Sequence, residues 1–524
     1  LKANDIVYYS YDDMLTFLSW EGAEMMNESY IISFDCGTSA VKATLVNFQG
    51  EICSVSTESY PLLNPKAGWA EQNPEDYWDA VSITTKKAIQ QLGVQKEQVK
   101  GIVFGTQWKG IIPLDEDDNV LYHNIIWLDG RAKEQAEKLN RKLNTDVMHQ
   151  QEYWPRLMWV KENLPDIYEK TDQFLEVNSY LKFKATGVKA VDLTNNLVYA
   201  KKESLQTYYN KILEAADLNI DKFPPLVLPT EKVGELTNEA AKQLGLLEGT
   251  PVFGGCGDIP AVAIGAGCSS MGSNHIYLGS SGWFCTLTKD RKNKDGELYQ
   301  SFDKDNELTI YAIQSAGLTF DWGIKQFYKM EKEKYGDDIY HFITKDIEDV
   351  TPGSENLIAT PWIHGELSPL SKNAKAVFLN ITNQHDRRHF MAAIMEGICY
   401  MLRWKIEHYI NETGHTIDSI RVVGGGASSD IWMQMMANIL KIPVHVPENP
   451  RHAGSIGTAY CALIGLGVCQ NFDESTERIQ IEKVFHFNAA YENRYDKLFH
   501  VFKKIYPSLE DIYDTLNDSE DKNA

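Results

Sequence analysis

The chain lacks any pair of cysteines in the C-x-x-C spacing. Its eight cysteines (36, 53, 256, 268, 285, 399, 461 and 469) are scattered, mostly within apolar runs. That argues against a zinc site and for reduced, buried thiols. No uninterrupted apolar stretch reaches the roughly 18 residues a membrane span needs. Basic residues are in deficit: 51 Lys plus Arg against 73 Asp plus Glu leave a formal charge of −22. Neither nucleic acid nor an anionic membrane surface is therefore an expected partner, although a local phosphate site stays open. No period of 20 to 50 residues recurs, which excludes a solenoid. The G-x-x-x-x-G-K-[ST] loop of P-loop enzymes is missing, and so is a protein-kinase catalytic loop. Residues 1–29 have neither a basic n-region nor a small-residue cleavage site, so they do not read as a signal peptide. They are expected to be an extension outside the fold, with a start at Met25 or Met26, or else a short surface helix. A cytoplasmic enzyme fits these absences.

What is present is an α/β chain of 524 residues with ordinary apolar (43%) and charged (24%) content, long enough for two domains. Strands are expected at 30–34, 43–47, 52–56, 102–106 and 250–253, then at 275–278, 283–287, 308–314 and 420–423. Asn73-Pro74-Glu75-Asp76 has the cap, proline and acids of a helix start. Further helices are expected at 130–143, 157–163, 319–332, 386–413, 431–440 and 455–466. The small, polar run 268–274 marks a domain boundary, giving domains at 30–271 and 272–467 and a polar C-terminal tail at 468–524.

The stretch Phe253-Gly254-Gly255-Cys256-Gly257-Asp258-Ile259-Pro260 places one carboxylate on a glycine turn between a strand and a helix. Glycines let a ligand approach the backbone, and a helix start favours an anion or a phosphate. Asp258 alone reads equally as a helix cap. A second strand–Asp–Gly sequence, Ser33-Phe34-Asp35-Cys36-Gly37-Thr38-Ser39, lies more than 200 residues earlier, with Lys42 nearby. Two further glycine–hydroxyl loops follow, Gly279-Ser280-Ser281-Gly282 and Gly424-Gly425-Gly426-Ala427-Ser428-Ser429. Each alone reads as a turn. Together with two strand-end aspartates they suggest a phosphoryl-transfer site, which needs backbone donors, a metal-holding carboxylate and a carboxylate for the acceptor's proton.

From about Tyr30 to Gly467 the chain resembles the FGGY family of carbohydrate kinases, most of all its xylulokinase branch. Residues 35–42 match its first phosphate motif, Trp69-Ala70-Glu71-Gln72-Asn73-Pro74 its Trp-x-Glu-Gln-x-Pro, and Trp127-Leu128-Asp129-Gly130-Arg131 its Trp-x-Asp-x-Arg. Residues 254–258 resemble its Gly-Gly-Gly-Asp turn with Cys256 in place of a glycine. Residues 279–282 match its second phosphate motif, Gly317 with Asp321 a nucleotide-side helix, and 424–427 and 454–457 its adenosine end, while His364-Gly365-Glu366-Leu367-Ser368-Pro369 resembles its Gly-Glu-Arg-x-Pro. The resemblance implies two actin-like, RNase H-like domains with an interdomain cleft. ATP and Mg²⁺ would be the cofactors, a small sugar the partner, and a homodimer is allowed.

It further implies Asp258 as general base and a metal contact, with Asp35 holding Mg²⁺. Gly37, Thr38, Ser39, Lys42, Gly279, Ser280, Ser281, Gly317, Asp321, Gly425, Gly426 and Asp430 would serve ATP, Asp430 standing where relatives have Asn. Gln107, Trp108, Lys109, Trp127, Asp129, Arg131 and Asp258 would serve the sugar. Gln107-Trp108-Lys109-Gly110 departs from the usual Gln-Met-His-Gly. Trp108 is open to sugar stacking or core packing, and Lys109 to a hydroxyl, a carboxylate or solvent. The expected substrate is a ketopentose such as D-xylulose. An aldonate such as gluconate, ribulose or a polyol stays open, and so, from another class, does an actin- or chaperone-type ATPase or a regulatory protein without catalysis.

Overall fold

A computed structural model describes residues 29–289, 298–367 and 373–517. Residues 1–28, and with them nearly all of the expected extension, lie outside the described residues. The chain divides into two compact units, one of residues 29–261 and 455–474, the other of 262–454 and 475–517. By compactness the chain passes between the units three times, because the helical segment 455–474, which precedes the last strand of the second sheet, groups with the first unit.

The first unit is built on β1 (Tyr30–Cys36), β2 (Ala40–Asn47), β3 (Ile52–Ser59), α1 (Pro74–Leu92), β4 (Val99–Thr106), α2 (Tyr153–Asn163), α3 (Val177–Thr186), β5 (Lys232–Glu235), β6 (Pro251–Phe253), β7 (Cys256–Gly257) and the start of α4 (Asp258–Gly265). Its sheet runs β5-β6-β4-β1-β2-β3, with β7 also paired to β4. The β1–β4, β6–β4 and β7–β4 pairs are parallel, and β1–β2–β3 is an antiparallel meander. Alternation decides which strands are central: β1 is almost wholly buried, while β3 is mostly half-buried or exposed. Asn73 caps α1, its side chain accepting from the Glu75 N–H, with Pro74 in the first turn as expected.

The second unit repeats this topology. It uses β8 (Asn274–Leu278), β9 (Gly282–Thr288), β10 (Leu298–Ser301), β11 (Glu307–Ile313), α5 (Gly317–Phe327), α6 (Arg387–Thr413), β12 (Ile420–Val423), α7 (Asp430–Leu440), β13 (Val444–Pro447), β14 (Ile481–Phe485) and α8 (Glu492–Asn517). Its sheet order is β10-β11-β9-β8-β12-β13-β14. Again a meander, β8–β9–β11, is followed by parallel strands and an antiparallel edge strand. This doubled meander-plus-parallel sheet is the actin-like architecture.

Two elements differ from the sequence reading. The helix expected over 319–332 is two helices, because Tyr328 leaves helical geometry, is fully buried and donates to Asp346 Oδ2 at 2.8 Å. The segment after 468, read as a tail, supplies β14 and α8. Tyr495, Leu498, Phe499, Phe502, Ile505 and Tyr506 of α8 are buried in the second unit's core.

Candidate active site

Strand register brings the two acidic strand ends together. On one side of β4, β1 sets Asp35 opposite Gly105 and Cys36 opposite Thr106. On the other, β7 sets Cys256 opposite Gly105 and Gly257 opposite Thr106. Asp35 and Asp258 thus flank the carboxyl end of β4, the end at which open α/β sheets bind ligands. Gly255 is required for the turn: its φ is +72°, and a Cβ there would collide with the Phe104 carbonyl. Cys256 is tolerated in a glycine's place because its thiol lies buried beside Cys461 (3.8 Å) and Thr458 (4.0 Å).

Asp258 opens α4, and its Oδ1 accepts the Ile259 N–H at 3.0 Å. Burial, and then the negative charge of Asp35, push its pKa up to about 7 against the pull of that N–H. A carboxyl ionising near neutral pH is suited to accepting a proton. Asp35 pairs with Lys42, its register partner on β2, at 3.3 Å.

The residues after β4 sit in a buried polar web. Gln107 donates through Nε2 to Gln72 Oε1 (2.9 Å) and Tyr77 OH (3.3 Å). Its Oε1 accepts from Thr38 Oγ1 at 3.4 Å, and Thr38 Oγ1 accepts from Trp127 Nε1 at 3.0 Å. Trp127 is 41% exposed, so its ring faces outward while its N–H orients the Thr38 hydroxyl. Asp129 and Arg131 are different. Their side chains are fully buried and bound to each other through Nε–Oδ1 and Nη2–Oδ2 at 2.8 Å each, and Arg131 Nη2 also reaches Glu71 at 2.6 Å. Asp129 Oδ2 further accepts the Ala70 N–H, and the guanidinium stacks 3.7 Å from the Trp69 ring centroid. Arg131 Nη1 alone is buried without a partner.

Lys109 is held at every polar group. Its φ is +64°, unusual for a residue with a Cβ. Arg156 Nη2 donates to its carbonyl at 2.7 Å, and its backbone N–H is bound by Glu176. Its Nζ pairs with Glu152 at 2.7 Å and lies 4.5 Å from the Trp108 ring centroid. Burial works to raise the Glu152 pKa, and the Lys109 ammonium outweighs it, holding the carboxyl below its ordinary value. Trp108 packs against the neighbouring helical cluster and donates through Nε1 to the Asn195 carbonyl at 3.2 Å. Of its two sequence readings, core packing is met: it is a packed residue with a fixed polar edge.

In the second unit the residues expected to serve ATP lie at the carboxyl ends of β8 and β12 and on the helices α5 and α7. Gly279, Ser280 and Ser281 form the β8–β9 turn, and the N–H groups of Gly317 and Leu318 at the head of α5 bind its carbonyls at 2.8 and 3.0 Å. Gly424, at φ +96°, lets the chain after β12 pass the Leu278 carbonyl, where a Cβ would collide. Gly425 is exposed, with nothing within 4 Å of where a Cβ would stand. Asp321 accepts from Tyr340 OH at 3.2 Å, and Asp430 pairs with Lys483 at 2.9 Å.

Several participants carry no legible role in the sequence. Gln72 stands inside a recognised motif. Tyr77, Glu152 and Arg156 emerge only from the three-dimensional arrangement. Among the described residues no helix is long and apolar enough to cross a membrane, and no three His, Cys, Asp or Glu side chains cluster as metal ligands.

The model of the FGGY family of carbohydrate kinases, N-terminal domain, matches residues 30–265, and that of its C-terminal domain matches residues 275–466. The chain belongs to this family: it is a sugar kinase, a phosphotransferase that uses ATP. Among curated proteins it is similar to the xylulose kinase of Bacillus subtilis (strain 168), with 31% identity over 504 residues, covering 93% of this chain and 98% of that one. Its fold is that of the ligand-bound xylulose kinase of Lactobacillus acidophilus (24% identity, TM-score 0.81, 93% of this chain and 100% of that one). It is equally that of the gluconate kinase of the same organism (24%, TM-score 0.82, the same coverage).

Proposed function

We propose that the protein is a cytoplasmic xylulokinase, transferring the γ-phosphoryl group of ATP to a hydroxyl of a neutral ketopentose such as D-xylulose. The observation that carries this choice is the Lys109–Glu152 pair. An unpaired ammonium would favour a sugar acid, but this one is neutralised at 2.7 Å by a carboxylate held in its ionised form. A neutral substrate suits that site better than an aldonate. The names of relatives such as the Bacillus subtilis enzyme support the same choice, and eight free cysteines suit a reducing compartment.

In this reading Asp258 accepts the proton of the sugar hydroxyl as its oxygen attacks the γ-phosphorus. The bond to the bridging oxygen breaks and ADP leaves with that electron pair. Gln107, Trp108 and Trp127 line the sugar, with Lys109 supplying a hydroxyl donor. Asp129 and Arg131 serve it by holding the Trp127 loop through their buried pair. Thr38, with its oriented hydroxyl, Gly37, Ser39 and Lys42 serve the phosphates. Gly279, Ser280, Ser281, Gly317 and Asp321 take the phosphate and ribose, and Gly425, Gly426 and Asp430 the adenosine.

The donor set fits Mg²⁺: two carboxylates, Asp35 and Asp258, with no enclosing third ligand among the described residues, suit an ion that keeps several waters. Asp35 and Asp258 would hold it, and it would neutralise phosphate charge. The test is ADP release across D-xylulose, L-xylulose, ribulose, gluconate, glycerol and xylitol. The expected order puts D-xylulose first; a kcat/KM higher on gluconate would overturn the neutral-sugar assignment in favour of an aldonate kinase.

A further inference from the structure

Behind the Asp258 turn lies a buried loop that touches the Gly257 amide. It follows α3 in the chain and consists of Asp192, Leu193, Thr194 and Asn195, all buried. Asp192 ties it into one body. Its Oδ1 accepts from the Thr194 N–H (2.9 Å), the Thr194 hydroxyl (2.7 Å) and the Asn195 N–H (3.1 Å), and its Oδ2 accepts from Asn195 Nδ2 (2.7 Å). A carboxylate receiving four donors is rigidly placed.

This loop grips the active site at two points. Thr194 Oγ1 accepts the N–H of Gly257, the residue before Asp258, at 2.7 Å. The carbonyl of the next residue, Asn195, accepts Trp108 Nε1 at 3.2 Å. The Thr194 hydroxyl has only one hydrogen, and it is given to Asp192, so its lone pair is aimed at the Gly257 amide. Two neighbours on α3 brace the rest of the turn: Lys182 Nζ donates to the Gly254 carbonyl at 3.0 Å, and Asn178 Nδ2 donates to the Phe104 carbonyl, against which Gly255 packs, at 2.7 Å.

We propose that Thr194, oriented by Asp192, is a positioning residue for the reaction: it fixes the Gly257 amide, and so the direction of the Asp258 carboxylate, in register with the sugar-side Trp108. This rests on the reading of Asp258 as the base. Thr194 touches neither substrate nor reacting atoms, and its effect is on alignment. Misplacement of a reacting group by about 1 Å costs on the order of 100-fold in rate, whereas substrate binding draws on other contacts.

The test compares Thr194→Val, which keeps the shape and removes the acceptor, with Thr194→Ser, which restores it, in the full-length enzyme with D-xylulose and ATP. Thr194→Val is expected to lower kcat roughly 10- to 100-fold while KM for either substrate moves less than about three-fold, and Thr194→Ser is expected to recover kcat to within about three-fold. A Thr194→Val enzyme with near-normal kcat, or a Ser variant as impaired as Val, overturns the proposal. So does a kcat loss that merely follows the loss of folded protein seen by circular dichroism. Should Thr194→Val not accumulate folded, Thr194→Ala against Thr194→Ser makes the same comparison, and the same results support or overturn the proposal. Asp258→Asn run alongside separates the two claims. If it retains turnover, the base assignment fails; if it is inactive while Thr194→Val is normal, only the positioning role fails.

Discussion

A carboxyl whose pKa burial pushes up to about 7 should make the folded protein less stable as the pH rises, and Asp258→Asn should remove that penalty. Asp258 is moved from an ordinary 3.8 to about 7 by burial first and by Asp35 second. The folded state therefore holds the proton more tightly than the unfolded chain. Below about pH 4 both states are protonated and nothing is lost. Between 3.8 and about 7 the unfolded chain has released its proton while the folded protein keeps it, so stability falls with rising pH. Above about 7 the full cost is present.

At about 1.4 kcal/mol per pH unit the cost is roughly 1.6 kcal/mol at pH 5 and about 4 kcal/mol at pH 8. Asn keeps the size of the side chain and can still accept the Ile259 N–H, but it carries no charge. The melting temperature of Asp258→Asn should therefore exceed that of the wild type by more at pH 8 than at pH 5. For a unit of this size the gap should widen by roughly 5–10 °C. The assay is differential scanning calorimetry in EDTA without nucleotide, so that no cation neutralises the carboxylate. A melting difference that is the same at pH 5 and pH 8 would refute the shifted carboxyl and, with it, the environment proposed for the base.

Other outcomes are equally open to measurement. The acidic limb of kcat/KM should rise through about pH 7, because Asp258 must be ionised to accept a proton; a limb near pH 4 would mean another group is titrating. Glu152→Gln, which unmasks the Lys109 ammonium, should raise the gluconate-to-xylulose ratio of kcat/KM by about ten-fold or more, read from the same ADP-release panel. Asp35→Asn should show a turnover defect partly relieved at high Mg²⁺, unlike Asp258→Asn; indifference to Mg²⁺ would remove Asp35 from the metal. Phe502→Ala, which empties a fully buried position beside Trp362 and Tyr400, should destabilise the second unit by roughly 3–5 kcal/mol in urea unfolding, a loss no loose tail would produce.

The parts of this site that the sequence made legible are those where backbone geometry dictates residue type. Asp35 and Asp258 announced themselves because a carboxylate between a buried strand and glycines is a rare local arrangement. Gly255 and Gly424 had to be glycine where carbonyls pass close by. Side-chain partnership was illegible. Nothing local to Lys109 points to Glu152, 43 residues on, and nothing in Trp127-Leu128-Asp129-Gly130-Arg131 tells that Asp129 and Arg131 turn inward to each other while Trp127 stays at the surface. Thr194 carries no motif at all; its role depends on β7 arriving beside it. The last helix was hidden for a different reason. Its apolar residues at 495, 498, 499, 502, 505 and 506 keep a helical period, but they are diluted by Lys, Glu and Asp on the outer face, so average polarity suggested a tail. The doubled sheet topology leaves no sequence repeat, because it constrains strand order and not residue identity.

The most direct test of the central claim is the steady-state turnover of Asp258→Asn on D-xylulose and ATP, with binding of each ligand measured by calorimetry on the same preparation. General-base assistance contributes about 10²- to 10⁴-fold, so kcat should fall by at least that order while both ligands still bind. Turnover close to wild type would contradict the account, since Asn caps a helix as well as Asp does and only the proton acceptor has been removed.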